Sequence, residues 1–173
     1  MNALAILNTK TNYQDFAAFI EENQNSFYRV AYQYVSNRDT ALDLVQEAIV
    51  KALSKQYTLR DISLIKPWFY RILTNECLGY LRKHKREILT DTTPESETAQ
   101  THPENDITQN MDLYRAIGQL SPELKTIIIL RYFEDMKLED VAKITNTNLN
   151  TVKTRLYRAL KILKPMMQEK ITE

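Results

Sequence analysis

Basic and hydroxyl side chains crowd a stretch near the C-terminal end of the chain, residues 150–161. The polar side chains that fall on one outward helical face there are Lys153, Thr154, Arg155, Tyr157, Arg158 and Lys161. Such side chains hydrogen-bond base edges in the major groove, and the cations also hold phosphates. Because residues 150–167 contain no Asp or Glu, the stretch is uniformly positive. The pattern indicates contact with duplex DNA, with a solvated basic helix as the alternative.

A second basic stretch, residues 67–86, mixes cations with aromatic rings. Its polar and aromatic exterior is predicted to comprise Tyr70, Arg71, Asn75, Tyr80, Arg82, Lys83, Lys85 and Arg86. Cations hold a phosphate backbone while rings stack on unpaired bases, so this mixture suits single-stranded or opened DNA. The alternative is that most of these rings belong to the core.

Two short helices joined by a tight turn must position the first basic stretch. Apolar residues recur at helical spacing at about 138–145 and again at about 150–163. In the second helix, Val152, Leu156, Leu160 and Leu163 are predicted to share one apolar face. Ala142 is small enough for two helices to cross closely, Asn146 can adopt the left-handed conformation of the turn, and Asn150 is a suitable N-cap. The sequence therefore predicts a helix-turn-helix.

The same spacing predicts an all-α protein. Further helices are expected at about 13–22, 25–35, 39–55, 67–86, 112–119 and 122–133. Ser121 should cap the helix at 122–133, with Pro122 in the first turn of that helix. Pro165 should end or bend the second helix of the helix-turn-helix.

The predicted helix at 39–55, which either Asn37 or Asp39 could cap, has two distinct sides. Its broad apolar face is expected to hold Ala41, Leu42, Leu44, Val45, Ala48, Ile49 and Leu53. Asp43, Gln46 and Glu47 lie on its polar side, which by spacing alone is a solvated face.

Residues 88–109 break the periodicity, since Thr, Glu, Asp, Gln and Pro dominate there. This composition predicts an acidic flexible linker between two small helical domains, 1–87 and 110–173, which need not touch each other. The linker's acids either keep it soluble or let it lie in a positively charged channel that nucleic acid normally occupies. They are Asp91, Glu95, Glu97, Glu104 and Asp106.

Composition excludes several classes of protein. The chain has 173 residues, of which 43% are hydrophobic, enough for packed cores, and no apolar run long enough to span a membrane. No signal pattern opens it, so a cytoplasmic protein is expected. A single cysteine, Cys77, and two histidines, His84 and His102, leave no convincing metal site, and no cofactor or catalytic residue is predicted. A nuclease would need a cluster of carboxylates or histidines that the sequence lacks.

The order of these segments closely resembles the extracytoplasmic-function (ECF) class of bacterial sigma factors, which retain only regions two and four. The matching segments are DLVQEA at 43–48, PWFYRILTNECLGYLRKHKR at 67–86, the acidic linker, and LSPELKTIIILRYFEDMKLEDVAKITNTNLNTVKTRLYRALKIL at 120–163. The resemblance extends over about residues 16–163.

The resemblance implies a subunit that carries core RNA polymerase to promoters, while the polymerase makes the phosphodiester bond. Its partners would be the clamp helices of the largest subunit, the flap of the second largest, and promoter DNA. An anti-sigma factor, in this class often membrane-bound, would hold it inactive.

Roles for individual residues follow from the same resemblance. Asp43, Gln46 and Glu47 would dock on the clamp helices. Melted −10 DNA would be held by Tyr57, Trp68, Tyr70, Arg71, Asn75, Arg82 and Lys83, with the loop 57–63 taking a flipped base. At the −35 element Lys153, Thr154, Tyr157 and Arg158 would face bases. Asn150, Thr151 and Arg155 would hold the backbone there.

Two positions depart from the family pattern. Lys137 stands where a small hydroxyl residue usually caps the first helix of the helix-turn-helix, and Asn146 stands where Gly is favoured. Asn tolerates the left-handed region, so the fold is expected to be kept.

The other candidate function is a stand-alone helix-turn-helix regulator whose first domain serves dimerisation or ligand binding. Such a regulator would footprint DNA without polymerase.

Overall fold

A computed structural model of the chain describes residues 3–90 and 111–168, with side chains at 13–87 and 113–167. Every regular element in these ranges is helical, which confirms the all-α prediction. The α-helices are α1 (Ala3–Val35), α2 (Arg38–Lys55), α3 (Ile65–Thr90), α4 (Met111–Gly118), α5 (Pro122–Ile128), α6 (Leu138–Thr145) and α7 (Leu149–Gln168). We call α1–α3 the N-terminal half and α4–α7 the C-terminal half. Of the predicted linker, 88–109, residues 88–90 instead form the end of α3, and residues 91–109 lie outside the described residues.

Aromatic rings form the centre of the N-terminal half. Phe27 of α1 packs on Phe69 of α3 with ring centroids 4.3 Å apart, and Phe19 packs on both. Because Phe27 and Phe69 are fully buried, these contacts fix α1 against α3. The prediction of two helices within α1 was wrong. The chain has no Gly or Pro there to interrupt the helix, and the Asn23 side chain donates to its own helix at the Phe19 carbonyl.

The start of α2 is set by a cap. Ser36 has a φ of 51° and reverses the chain after α1. The Asn37 side chain then accepts a hydrogen bond from the Thr40 amide at 3.0 Å, as a good N-cap does. Asn37 was one of the two cap residues that the sequence predicted.

The C-terminal half packs around isoleucine, leucine and valine. The fully buried residues at its centre are Ile117, Ile127, Ile129, Leu130, Val141 and Val152. Helix α5 continues to Phe133, as predicted, but its last turn (Ile129–Phe133) is a π-helix. Ser121 occupies the N-cap position of α5, and its carbonyl accepts from the Lys125 amide, but its side chain does not make the predicted capping hydrogen bond.

The turn between α6 and α7 confirms one prediction and corrects another. Asn146 lies in the left-handed region, with φ 51° and ψ 44°. The residue that caps α7 is Asn148, whose side chain accepts from the Thr151 amide at 2.7 Å, and not Asn150. Pro165 does not end α7, which continues to Gln168.

Replacing Asn148 by alanine should therefore destabilise the protein by about 1 kcal/mol, because an orphan amide of α7 loses its acceptor. Urea unfolding of the full chain measures this change. The matched control is Asn150→Ala two residues later, where the carbonyl and not the side chain bonds within the helix. An equal loss in both variants would contradict the assignment of the cap to Asn148.

The two halves are in contact, which the sequence did not predict. The Tyr34 and Thr126 hydroxyls lie 2.6 Å apart, and Lys125 Nζ donates to the Gln33 carbonyl at 3.0 Å. Tyr34, Lys125 and Thr126 are all buried, and burial lowers the pKa of Lys125. Helix α6 also packs on α3. The buried polar groups at this interface are therefore hydrogen-bonded to each other, as buried polar groups in folded proteins usually are.

Candidate nucleic-acid interface

Helix α7 presents its polar face to solvent because its opposite face is buried. Val152, Leu156, Ala159 and Leu163 pack into the C-terminal half, and Leu160, predicted to join them, is 36% exposed. Lys153, Thr154, Tyr157, Arg158 and Lys161 are exposed on the other side, with the Tyr157 ring 72% exposed. All four side chains predicted to face bases are thus accessible on one helix.

The first turn of α7 forms a shallow depression on the same surface. It is lined by Asn148, Asn150, Thr151, Thr154 and Arg155. Thr151 and Arg155 are half-buried there and Asn150 is exposed, so the three residues predicted to hold the DNA backbone lie together. The Thr154 hydroxyl donates to the Asn150 carbonyl at 2.9 Å, which leaves its oxygen free to accept from a base or water.

The basic face of α3 is present but differs from the predicted one at Tyr70. Arg71, Asn75, Arg82 and Lys83 are exposed. Tyr70 is fully buried, and its hydroxyl donates to Glu134 of the C-terminal half, so its predicted place on the exterior was wrong. Tyr80 is half-buried against the core and stacks on the exposed His84 with an interplanar angle of 9°.

Trp68 joins α3 to the loop before it. The indole is half-buried, packs edge-on against Phe16, and donates through Nε1 to the Thr58 hydroxyl at 3.2 Å. Thr58 in turn donates to the Lys55 carbonyl at the end of α2. Trp68 therefore supports the loop as well as bordering it.

The loop 56–64 consists of two short 3₁₀ turns, Gln56–Thr58 and Ile62–Leu64. Tyr57 projects from the first with 81% of its surface exposed, in a position to stack on an unpaired base. The Asp61 carboxylate accepts from the Ser63 amide at 2.9 Å, and hydrogen bonds with Ser63 lower its pKa. A negative charge thus orders the second turn.

Helix α2 exposes the three polar residues that the resemblance singled out, Asp43, Gln46 and Glu47. Sequence reasoning missed the apolar side chains beside them. Leu42 and Leu53 were assigned to the buried face but are 40% and 37% exposed, and Val50 is 65% exposed. We call these six residues the α2 face. The signal that could have found it is Val50, an apolar residue at helical spacing from Asp43, Gln46 and Glu47.

In the part of the chain that the structure describes, no group of three or more His, Cys, Asp or Glu side chains could hold a metal ion. None of the helices described between residues 3 and 168 has the length and apolarity that crossing a bilayer requires. The thiol of Cys77 is fully buried, and burial raises its pKa to about 12, so it is unsuited to nucleophilic work.

Comparisons with known proteins agree with this geometry. The Sigma-70 region 2 family matches residues 19–87, and the Sigma-70, region 4 family matches residues 110–163. The RNA polymerase sigma factor SigV of Bacillus subtilis (strain 168) is 48% identical to the chain, covering 84% of this chain and 86% of SigV. The ECF RNA polymerase sigma-E factor of Haemophilus influenzae is 30% identical, with 88% and 87% covered.

A solved structure extends the likeness to three dimensions. It is that of the sigma factor RpoE in complex with the anti-sigma factor NepR from Bartonella quintana. RpoE superposes with a TM-score of 0.79 at 28% identity, over 91% of this chain and 99% of that one. The chain therefore belongs to the extracytoplasmic-function class of RNA polymerase sigma factors, which recognise promoters and initiate transcription.

Proposed function

We propose that this sigma factor binds core RNA polymerase through the α2 face, reads the −35 element with α7 and opens the −10 element with α3 and its preceding loop. The observation that carries the proposal is the face of α7, where cations and hydroxyls are exposed on a helix that a complete helix-turn-helix presents. In the cell the protein then works in the cytoplasm, beside the polymerase and the DNA.

At the −35 element, α7 enters the major groove with its first turns. Lys153, Thr154, Tyr157 and Arg158 face base edges, and Asn150, Thr151 and Arg155 hold the phosphate backbone. Support comes from the exposure of the first four and from the depression that the last three share with Asn148. The half-buried Arg155 is well suited to a phosphate, since part of its side chain is already ordered.

At the −10 element, the cations of α3 hold the separated strand. Arg71, Asn75, Arg82 and Lys83 supply the polar contacts, and Tyr57 stacks on the base that the loop captures. Trp68 positions that loop through Thr58 and borders the separated strand. We assign no base contact to Tyr70 while its hydroxyl is bonded to Glu134.

On the polymerase side, the α2 face offers charge and apolar surface together. Asp43 and Glu47 meet basic side chains of the clamp helices, with Gln46 between them. Leu42, Val50 and Leu53 add apolar area at the centre of the contact. Because this area excludes water, it strengthens the electrostatic attraction between the charges beside it and their partners. The C-terminal half docks on the flap of the second-largest subunit.

We further infer an anti-sigma factor as the regulatory partner, because RpoE is in complex with NepR and shares its arrangement with this chain over both halves. Such a partner would inhibit by covering the α2 face or the α7 face. Co-purification with the full chain would identify this partner.

The first test is multiple-round transcription in vitro with sigma-free bacterial core polymerase on sheared genomic DNA from the same organism. New discrete start sites that require this chain are expected. If initiation stays at the level of core alone while the chain footprints duplex DNA unaided, the protein is a stand-alone regulator. The roles assigned to the α2 face then fall.

A further inference from the structure

The contact between the two halves includes one buried carboxylate, Glu134, in addition to the Tyr34–Thr126 and Lys125–Gln33 hydrogen bonds. Its side chain belongs to the C-terminal half but is only 6% exposed. The Tyr70 hydroxyl donates to the carboxylate, and Lys66 Nζ donates to the Glu134 carbonyl at 2.7 Å. Arg29 of α1 adds a second positive charge nearby. The N-terminal half thus builds a polar recess that Glu134 fills.

The π-helical turn explains how Glu134 reaches this recess. A π-turn contains an extra residue, and here the Glu134 amide donates five residues back to the Ile129 carbonyl at 3.2 Å. Asp135 follows with a φ of 49°, which turns the chain away at once. Wide turns of this kind occur frequently at functional sites, and this one displays a single carboxylate toward α3.

The recess and the carboxylate depend on each other. Burial raises the pKa of Glu134, and the Tyr70 hydrogen bond and the charges of Lys66 and Arg29 act in the opposite direction. A buried carboxylate without such partners is unfavourable, and a buried Tyr70 hydroxyl without an acceptor is as well. The contact therefore favours one specific arrangement of the two halves over non-specific adhesion.

This arrangement brings α6 against the surface proposed to capture −10 DNA. A cavity of about 340 Å³ lies between them. Trp68 and Arg71 line it from the N-terminal half, together with the loop residues 58–61, and Asp140, Lys143 and Ile144 line it from α6. A strand of DNA that followed the loop onto Trp68 would meet α6 first.

We propose that Glu134 latches the free sigma factor in a closed state, in which α6 covers the loop and Trp68 so that −10 DNA is captured only after the two halves separate. Polymerase docking on both halves at distant sites would supply the free energy for separation. The closure itself is independent of the proposed function, and only its consequence for DNA rests on that function.

Closure is measured in the free full chain by energy transfer between dyes at Glu22→Cys on α1 and Lys164→Cys on α7, both exposed positions. Cys77 can stay in place, since it is fully buried. Glu134→Lys puts a cation beside Lys66 and Arg29 and should lower the transfer efficiency. Tyr70→Phe, which removes only the hydroxyl, should lower it less. Circular dichroism must show unchanged helix content in both.

Two controls separate a latch from general damage. Glu139→Lys makes the same charge change at an exposed position on α6 and should leave the transfer efficiency unchanged. Adding Lys66→Glu to Glu134→Lys restores opposite charges and should return part of the lost transfer. Unaltered efficiency in Glu134→Lys, or an equal fall in Glu139→Lys, would overturn the latch.

The consequence for DNA is measured with a short fluorescein-labelled single-stranded oligonucleotide of mixed sequence and no polymerase. If only about a tenth of the free chain is open, opening raises apparent affinity about tenfold. Glu134→Lys should show this rise beyond Glu139→Lys, which adds the same charge. If the transfer efficiency falls but the affinity for the oligonucleotide does not rise, the covering role of α6 is overturned. If the variants change the transfer efficiency as expected but the chain fails to initiate transcription, the latch stands and only the proposed function is refuted.

Discussion

Replacing both Lys153 and Arg158 by alanine should lower promoter-specific initiation about a hundredfold, because each lost base contact costs about 1–3 kcal/mol. Both side chains are exposed on α7, and the residues that hold this helix in place lie on its opposite face. The substitutions should therefore leave both the fold and core binding intact. Initiation from a mapped promoter at limiting sigma concentration measures the first effect, and a core pull-down measures the second.

The matched control is the double variant Lys161→Ala with Lys164→Ala, which removes the same charge farther along the same helix. Residues near the start of a recognition helix contact bases, whereas later ones contact the DNA backbone or solvent, so the control should lose less than about tenfold. It also separates base reading from general attraction to phosphate, which depends strongly on salt. A loss of core affinity equal to the loss of initiation would contradict the −35 assignment.

The helix-turn-helix could be predicted because its determinants are local. The small Ala142, the left-handed Asn146 and the apolar spacing of Val152 and Leu156 act within one or two turns of each other. The wrong choice of Asn150 over Asn148 shows the limit of such rules, since two asparagines two residues apart are equally good caps. Only the backbone conformation decides which side chain accepts from the Thr151 amide.

The surface of the site was less predictable, because burial depends on partners distant in sequence. The buried Tyr70 packs on Phe27, and its hydroxyl donates to Glu134, which is 64 residues away in the sequence. Leu42 and Leu53 continue the apolar stripe of α2 beyond the width that α1 and α3 cover, and so remain exposed. The spacing of apolar residues does not distinguish a leucine that packs in the core of its own chain from an exposed leucine that is available to contact another protein.

Reversing one charge on the α2 face, Glu47→Arg, should weaken core binding about a hundredfold, because juxtaposed like charges cost several kcal/mol at an interface. Glu47 is exposed, so its replacement should not change the free energy of unfolding. Its neighbours Leu42 and Val50 would be desolvated in the complex, and a misplaced cation is least tolerated there. Fluorescence anisotropy of labelled chain titrated with core polymerase measures the loss.

The control for this variant is Glu22→Arg, which makes the same charge change at an exposed position on α1. It should bind core with an affinity within about twofold of the unmodified chain, since exposed charges away from an interface have small effects. Initiation by Glu47→Arg should recover as its concentration is raised, because docking is impaired while α7 and α3 are not. The Lys153 and Arg158 variant should recover less, since its defect persists once core is saturated. Undiminished core binding by Glu47→Arg would place the polymerase contact elsewhere than on α2.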